Sequence, residues 1–171
     1  MVINLLFLEG IEVNGNKIRL GQKIDTVTSI LGIPSRIKNY YYYLDSMIAI
    51  SIDKRKKIDF INISIEKNIE IFHENNNLTQ MSKQDLLSYL RAQNSNEMIL
   101  TENNHSVTFM NISLGIYYEM TEEEVQELIR ESKEDGVYDE MREDIEVDIE
   151  KSKKPSVFGI GIKDYYRECY S

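Results

Sequence analysis

The sequence predicts an α+β domain: tandem helix–β-meander units forming an antiparallel sheet with helices packed on one face. Three observations predict it. One helical stripe followed by three strand-like runs occupies about residues 21–65, and the same order recurs at 82–117. The breaks between the runs are short polar turns of the kind that close hairpins, not the long crossovers that parallel strands need. Finally, 171 residues with 42% hydrophobic content and a single cysteine suit one domain over 1–171, held by its own core without disulfides or a thiolate zinc site.

The elements follow in order. Leu6-Phe7-Leu8 and Ile11-Glu12-Val13 read as strands, and Asn14-Gly15 turns the second of them into Lys17-Ile18-Arg19-Leu20. Ile24, Val27, Ile30 and Leu31 are spaced for a short helix that Gly32 and Pro34 end. Strands are expected at 37–43, 47–52 and 58–65, where alternation separates Phe60, Asn62 and Ser64 from Ile61, Ile63 and Ile65. Ser82 and Asp85 approximate a capping box before Leu86, Leu87 and Leu90. Strands at 98–101, 107–110 and 112–117 complete the second unit, with Asn103-Asn104 as a hairpin turn.

The last third differs in charge. Between Thr121 and Lys153 there are fourteen acidic and five basic residues, so this segment holds the whole net charge of −9, while the rest of the chain carries fifteen of each sign. Thr121 and Glu124 form a capping box, Val125, Leu128 and Ile129 give a buried stripe, and Gly136 interrupts the helix. Tyr138, Met141, Ile145 and Ile149 continue a helical stripe, although Ile145-Glu146-Val147-Asp148-Ile149 also alternates as a strand would. The surrounding Glu, Lys and Arg favour helix there. Pro155 ends the acidic helical segment 121–153, and 156–163 is the closing strand, in which Gly159 and Gly161 let an opposing helix come close.

Enzyme signatures are missing: the chain has no HExxH, P-loop, GxSxG or helix-opening GxGxxG. His73 and His105 sit in polar turns without a second ligand at metal spacing, and Cys169 has no partner histidine in sequence. Neither a catalytic group, nor a metal, nor a cofactor is expected. The acidic balance argues against nucleic acid, which needs a basic surface. No apolar run approaches a membrane span, and the N-terminal stretch lacks a basic region or a cleavage signal, so a cytoplasmic protein is expected.

Two features point to a protein partner. Tyr40-Tyr41-Tyr42-Tyr43 on a strand offers tyrosines to each face, and Tyr41 and Tyr43 are the candidate anchors; the alternative is that one pair packs in the core and the other covers its edge. Glu122, Glu123, Glu127, Asp139, Glu140, Glu143 and Asp144 form a candidate acidic patch, whose alternative is a solvated face that only aids solubility.

The run from Ile18 to Pro34, with Leu20-Gly21, Val27, Leu31-Gly32 and Pro34, resembles the "L-G-x-x-x-x-x-V-x-x-x-L-G-x-P" opening of helix–meander repeats. Such repeats build beta-lactamase inhibitory protein and the outer-membrane assembly lipoprotein BamE. Ile48-Ala49-Ile50-Ser51-Ile52-Asp53 and Lys57-Ile58-Asp59-Phe60-Ile61-Asn62-Ile63 are similar to the meander that follows. Phe158-Gly159-Ile160-Gly161-Ile162-Lys163-Asp164-Tyr165-Tyr166 resembles the closing strand of small bacterial proteins of this kind, several of them thought to be immunity proteins of contact-dependent or polymorphic toxin systems. The anchor cysteine of BamE and the disulfides of the secreted inhibitor have no counterpart here. The resemblance implies an immunity protein whose partner is a cognate basic toxin domain, such as a nuclease. The alternatives are a BamE-like scaffold of envelope assembly and, third, a small carboxylate-dependent hydrolase.

Overall fold

A computed structural model describes residues 1–66, 68–95, 99–100 and 104–169 and shows the α+β class. The N-terminal strands are β1 (Val2–Leu6), β2 (Gly10–Val13) and β3 (Asn16–Arg19). The first unit comprises α1 (Asp25–Leu31), β4 (Ser35–Ile37), β5 (Tyr40–Tyr43), β6 (Ile48–Ile52) and β7 (Ile58–Ser64). Next come a hairpin of β8 (Glu70–His73) and β9 (Asn76–Asn77), then α2 (Lys83–Gln93), β10 (Ile99–Leu100), β11 (Ser106–Phe109) and β12 (Leu114–Tyr117). The chain continues through α3 (Glu122–Glu134), α4 (Tyr138–Lys153), β13 (Val157–Gly161) and α5 (Tyr165–Cys169). Met98, Thr101 and Asn103, assigned above to a strand and a turn, lie outside the described residues, as does the side chain of Cys169.

The two helix–meander units are joined edge to edge by the closing strand. The larger sheet has the order β10-β11-β12-β13-β7-β6-β5-β4, antiparallel throughout among the described residues. In this register Phe158 of β13 faces Ile63 on one side and Ile116 on the other. Alternation sends Tyr43, Ile48, Ile50, Ile61, Ile63, Leu114, Ile116, Phe158 and Ile160 to one face, where each is essentially buried. They form one cluster with Ile24 and Val27 of the first helical segment, Leu86 and Leu90 of α2, and Ile3, Leu5, Ile11, Val13, Ile18 and Ile71 of the smaller sheet. Fully buried Asn94 fastens the second unit: its Oδ1 accepts the backbone N–H groups of Asn111 (2.6 Å) and Ile112 (3.0 Å), tying the end of α2 to the β11–β12 turn.

Several boundaries differ from the sequence expectation. The single strand expected at 37–43 is a tight hairpin, because Lys38 takes a left-handed φ of 55° and Ile37 pairs with Tyr40. A lysine-asparagine loop lacks the glycine that normally announces such a turn. The first strand is Val2–Leu6 and not Leu6-Phe7-Leu8, since Leu8 has φ 64° and the chain turns there into Gly10. Residues 70–77, unassigned from sequence, form the β8–β9 hairpin, and β8 lies parallel to β1 in a five-stranded sheet of order β3-β2-β1-β8-β9. That parallel pair lies outside the helix–meander units, whose strands are antiparallel as expected. The strand at 112–117 begins at Leu114, after a turn in which Ser113 has φ 48°.

The glycines of the closing strand have a definite purpose. Gly115, Gly159 and Gly161 lie on the outer face of the larger sheet, and a Cβ at any of them would collide with the rings of Tyr165 or Tyr166. Tyr166 lies across this floor with its hydroxyl donating to the Gly159 carbonyl (3.1 Å), and Tyr165 stacks on Phe60 at 4.7 Å between ring centres. A helix does come close to the strand, on the face opposite the main core. Gly159→Ala would place its methyl 2.5 Å from Phe60 Cζ and 2.7 Å from Tyr166 Oη, so the aromatic pair must lift. The expected cost is about 1–3 kcal/mol, with faster proteolysis after residue 163, measured by urea unfolding and limited digestion. Unchanged stability and digestion would mean that this packing contributes nothing.

Candidate partner-binding surface

The acidic segment folds as a helical hairpin. The Glu124 N–H donates to Thr121 Oγ1 (3.1 Å), and the Thr121 N–H donates back to Glu124 Oε2 (2.8 Å), completing the capping box that starts α3. Gly136, at φ 73°, turns the chain into α4. Residues 145–149 are therefore helical, as their composition favoured. The two helices bury Val125 and Ser132 on α3 and Ile145 and Ser152 on α4, and none of these belongs to the main hydrophobic cluster. The hairpin has its own small interior and stands against the body of the fold.

Two side chains clamp its base. Lys83, at the start of α2, pairs with Glu122 (3.2 Å), donates to the Ser152 carbonyl (3.3 Å) and lies 4.8 Å above the ring of buried Tyr118. It thus joins α2, α3 and the end of α4. His105 places Nδ1 2.8 Å from the Tyr118 carbonyl and Nε2 3.0 Å from Glu124 Oε1. The Tyr118 carbonyl, with help from the Glu124 carboxylate, raises the His105 pKa above 6.5. Glu124 is held below its ordinary 4.5, first by the Thr121 N–H and then by His105.

These shifts fix the sign of a pH dependence. A raised histidine stabilises the folded form fully below 6.5 and loses that contribution as pH rises through its folded value. A lowered carboxylate contributes above 4.5 and loses its contribution as pH falls through its folded value. The clamp should therefore be strongest between 4.5 and 6.5. Amide exchange at the start of α3 should quicken relative to the sheet as pH rises above that window, after correction for intrinsic exchange, and His105→Gln should remove the trend. A wild-type profile identical to that of His105→Gln would refute the clamp.

Glu122, Glu123, Glu127, Asp139, Glu140, Glu143 and Asp144 are all exposed on this hairpin. They do not form a single uniform patch. Glu122 is engaged by Lys83, Glu127 pairs with Arg130 (3.1 Å) and Asp139 with Arg142 (2.7 Å). Glu123, Glu140, Glu143 and Asp144 have no ion pair among the described residues.

The tyrosine assignment needs correction. Tyr43 is 1% exposed and paired with Ile48 on the core face, and burial raises its pKa, partly offset by the Thr28 hydroxyl. It is a core residue and touches no partner. Tyr41 lies on the same face, half-buried against the core with the Arg36 guanidinium 5.1 Å from its ring centre. The more open pair is Tyr40 and Tyr42, whose rings are 6.3 Å apart on the outer face. Alternation separated the two pairs, but only the third dimension decided which pair faced the core.

One feature was not read from the sequence. One side of α4 overhangs a groove of about 1510 Å³ where both sheets end. Met1, Met47, Ile65 and Ile69 line it from the sheets, and Glu143, Glu146, Val147 and Glu150 from the helix. Val147 is 54% exposed, and Glu66 adds a carboxylate on the opposite wall. The signal available was an apolar residue at 147 on an otherwise charged helix face; strand ends distant in sequence gave none.

Among the described residues, no group of three or more His, Cys, Asp or Glu side chains could hold a metal ion, and no helix is long and apolar enough to cross a membrane. Compared with family models, with curated proteins and with solved structures, the chain has no match.

Proposed function

We propose that this chain is an immunity protein that binds a cognate basic toxin domain, a nuclease, and neutralises it in the cytoplasm by steric and electrostatic blocking. One observation supports the reading: the segment holding the entire net charge is a helical hairpin, clamped at its base by Lys83 and His105, with the seven candidate carboxylates exposed. Charge needed only for solubility has no reason to be gathered on one element. A nuclease cleft must be cationic to hold phosphates, so an acidic helix can occupy the same ground. The protein then acts by occupancy, without turnover. Metal-dependent hydrolysis that is lost on Asp135→Asn or His105→Ala would overturn the non-enzymatic part of the reading.

The test is co-expression with the product of the adjacent gene, which this reading expects to carry the toxin domain. Protected growth and recovery of a stable complex would support the proposal. Unprotected cells and no complex with that domain would refute it.

A further inference from the structure

Glu143, Glu146, Val147 and Glu150 stand at i, i+3, i+4 and i+7, the spacing of one continuous helix face. This is the side of α4 that looks into the groove, roughly opposite the side on which Ile145 is buried. The face is unusual in composition: one half-exposed valine ringed by carboxylates, above a floor of Met1, Met47, Ile65 and Ile69. Glu143, Glu146 and Glu66 have no ion pair among the described residues, while Glu150 is paired with Lys153 at 2.8 Å. The two lysines of the lining are Lys151, already bound to Asp148 and Glu119, and Lys154 at the groove's end. The lining of the groove therefore carries more carboxylates than cations, six against Lys151, Lys154 and the Met1 α-ammonium, which donates to the Asn68 carbonyl, around an apolar floor.

Resting on the immunity reading, we propose that this groove receives a cationic amphipathic helix of the partner, lying alongside α4 with Lys or Arg at one-turn intervals beside an apolar ridge. The chemistry favours a helix over a loop. From Glu143 to Glu150 is about 10 Å along the axis, and only a helix repeats its cations on one face at that step. The chain's own basic run, Lys54-Arg55-Lys56-Lys57, is a tight turn whose consecutive side chains diverge, so it matches this spacing poorly. Apolar contact with Val147 and Ile65 gives the affinity, and the carboxylates give orientation and selection against acidic helices.

The probe is a sixteen-residue helical peptide with leucines on one stripe and lysines flanking it, titrated into the isotopically labelled full chain. Its counterpart with glutamate for lysine is the control. The expected result is saturable binding of the lysine peptide alone, with the largest NMR shifts at Val147, Ile65 and Met47. Val147→Asp combined with Glu143→Lys and Glu146→Lys should weaken it about tenfold or more, and Glu123→Lys with Glu127→Lys less than about twofold. No saturable shift, or shifts and losses shared equally between α3 and α4, would overturn the groove and leave only a diffuse field. Concentration-dependent self-association abolished by Lys54→Glu and Lys56→Glu would overturn it too, by making a second copy the occupant. Failure of the immunity reading looks different: the wild-type chain would not bind the toxin domain at all. A toxin complex that the groove variants leave intact would sink the groove alone.

Discussion

Phe158→Ala is expected to lower the unfolding free energy by about 3–5 kcal/mol, the range for deleting a fully buried aromatic side chain. Phe158 has no exposed surface and lies on β13, between Ile63 of β7 and Ile116 of β12. It is therefore central to a strand that is itself the seam between two meanders. The cavity cannot close by shifting an edge, because hydrogen-bonded strands flank it on both sides. Against a typical total of about 5–15 kcal/mol, the variant would be marginal. Urea unfolding measures the loss, and amide exchange locates it: protection should fall in β7 and β12 together. Val157→Ala, on the outer face of the same strand, is the control and should cost about 1 kcal/mol or less. A Phe158→Ala loss below that of the control would mean that the seam is elsewhere.

The second large effect concerns association. Reversing Glu123, Glu140, Glu143 and Asp144 to lysine moves the net charge by eight units, nearly cancelling −9, and disturbs no ion pair among the described residues. Fields of this kind raise association rates by about 10- to 1,000-fold, so the variant should bind a basic toxin domain more slowly by a factor in that range at low salt. Salt should reproduce the effect in the wild type, because screening shortens from about 10 Å at 0.1 M to about 3 Å at 1 M. Dissociation should change less, since exposed charges act mainly on the encounter. Stopped-flow binding at two salt concentrations separates these. Association that ignores both salt and the four reversals would return the hairpin to a solubility role. Truncating Tyr43 would not be an informative companion experiment, as it removes a core ring instead of a contact.

The sequence carried much of the architecture, and the reasons are local. The 82–93 helix and the 121–134 helix were legible because Ser82 and Thr121 cap them through side chains three residues from their partners. The alternation from Ile58 to Ser64 specified a half-buried strand, and confinement of charge to 121–153 marked the hairpin before any coordinates. Where a turn lacked its usual residues, as at Lys38 or Leu8, the boundary was misplaced. The candidate acidic residues were legible as exposed helix positions, but the tyrosine pair was assigned to the wrong face. Period-2 alternation divides a strand into two sets and says nothing about which set meets the core.

By itself, then, the sequence determined the order of the two helix–meander units and the segregated charge of the acidic segment, and favoured helix along it, all set by neighbours within a few residues. The tertiary structure alone decided which strands meet. Nothing local announces that β13 should part β7 from β12, or that β8 should return beside β1 after some sixty intervening residues. Such pairings depend on which faces can be buried together once all the elements exist, and pairings so distant in sequence leave no short-range pattern. The groove under α4 belongs to the same class: its walls come from six separate stretches of chain, and only their packing makes them one surface.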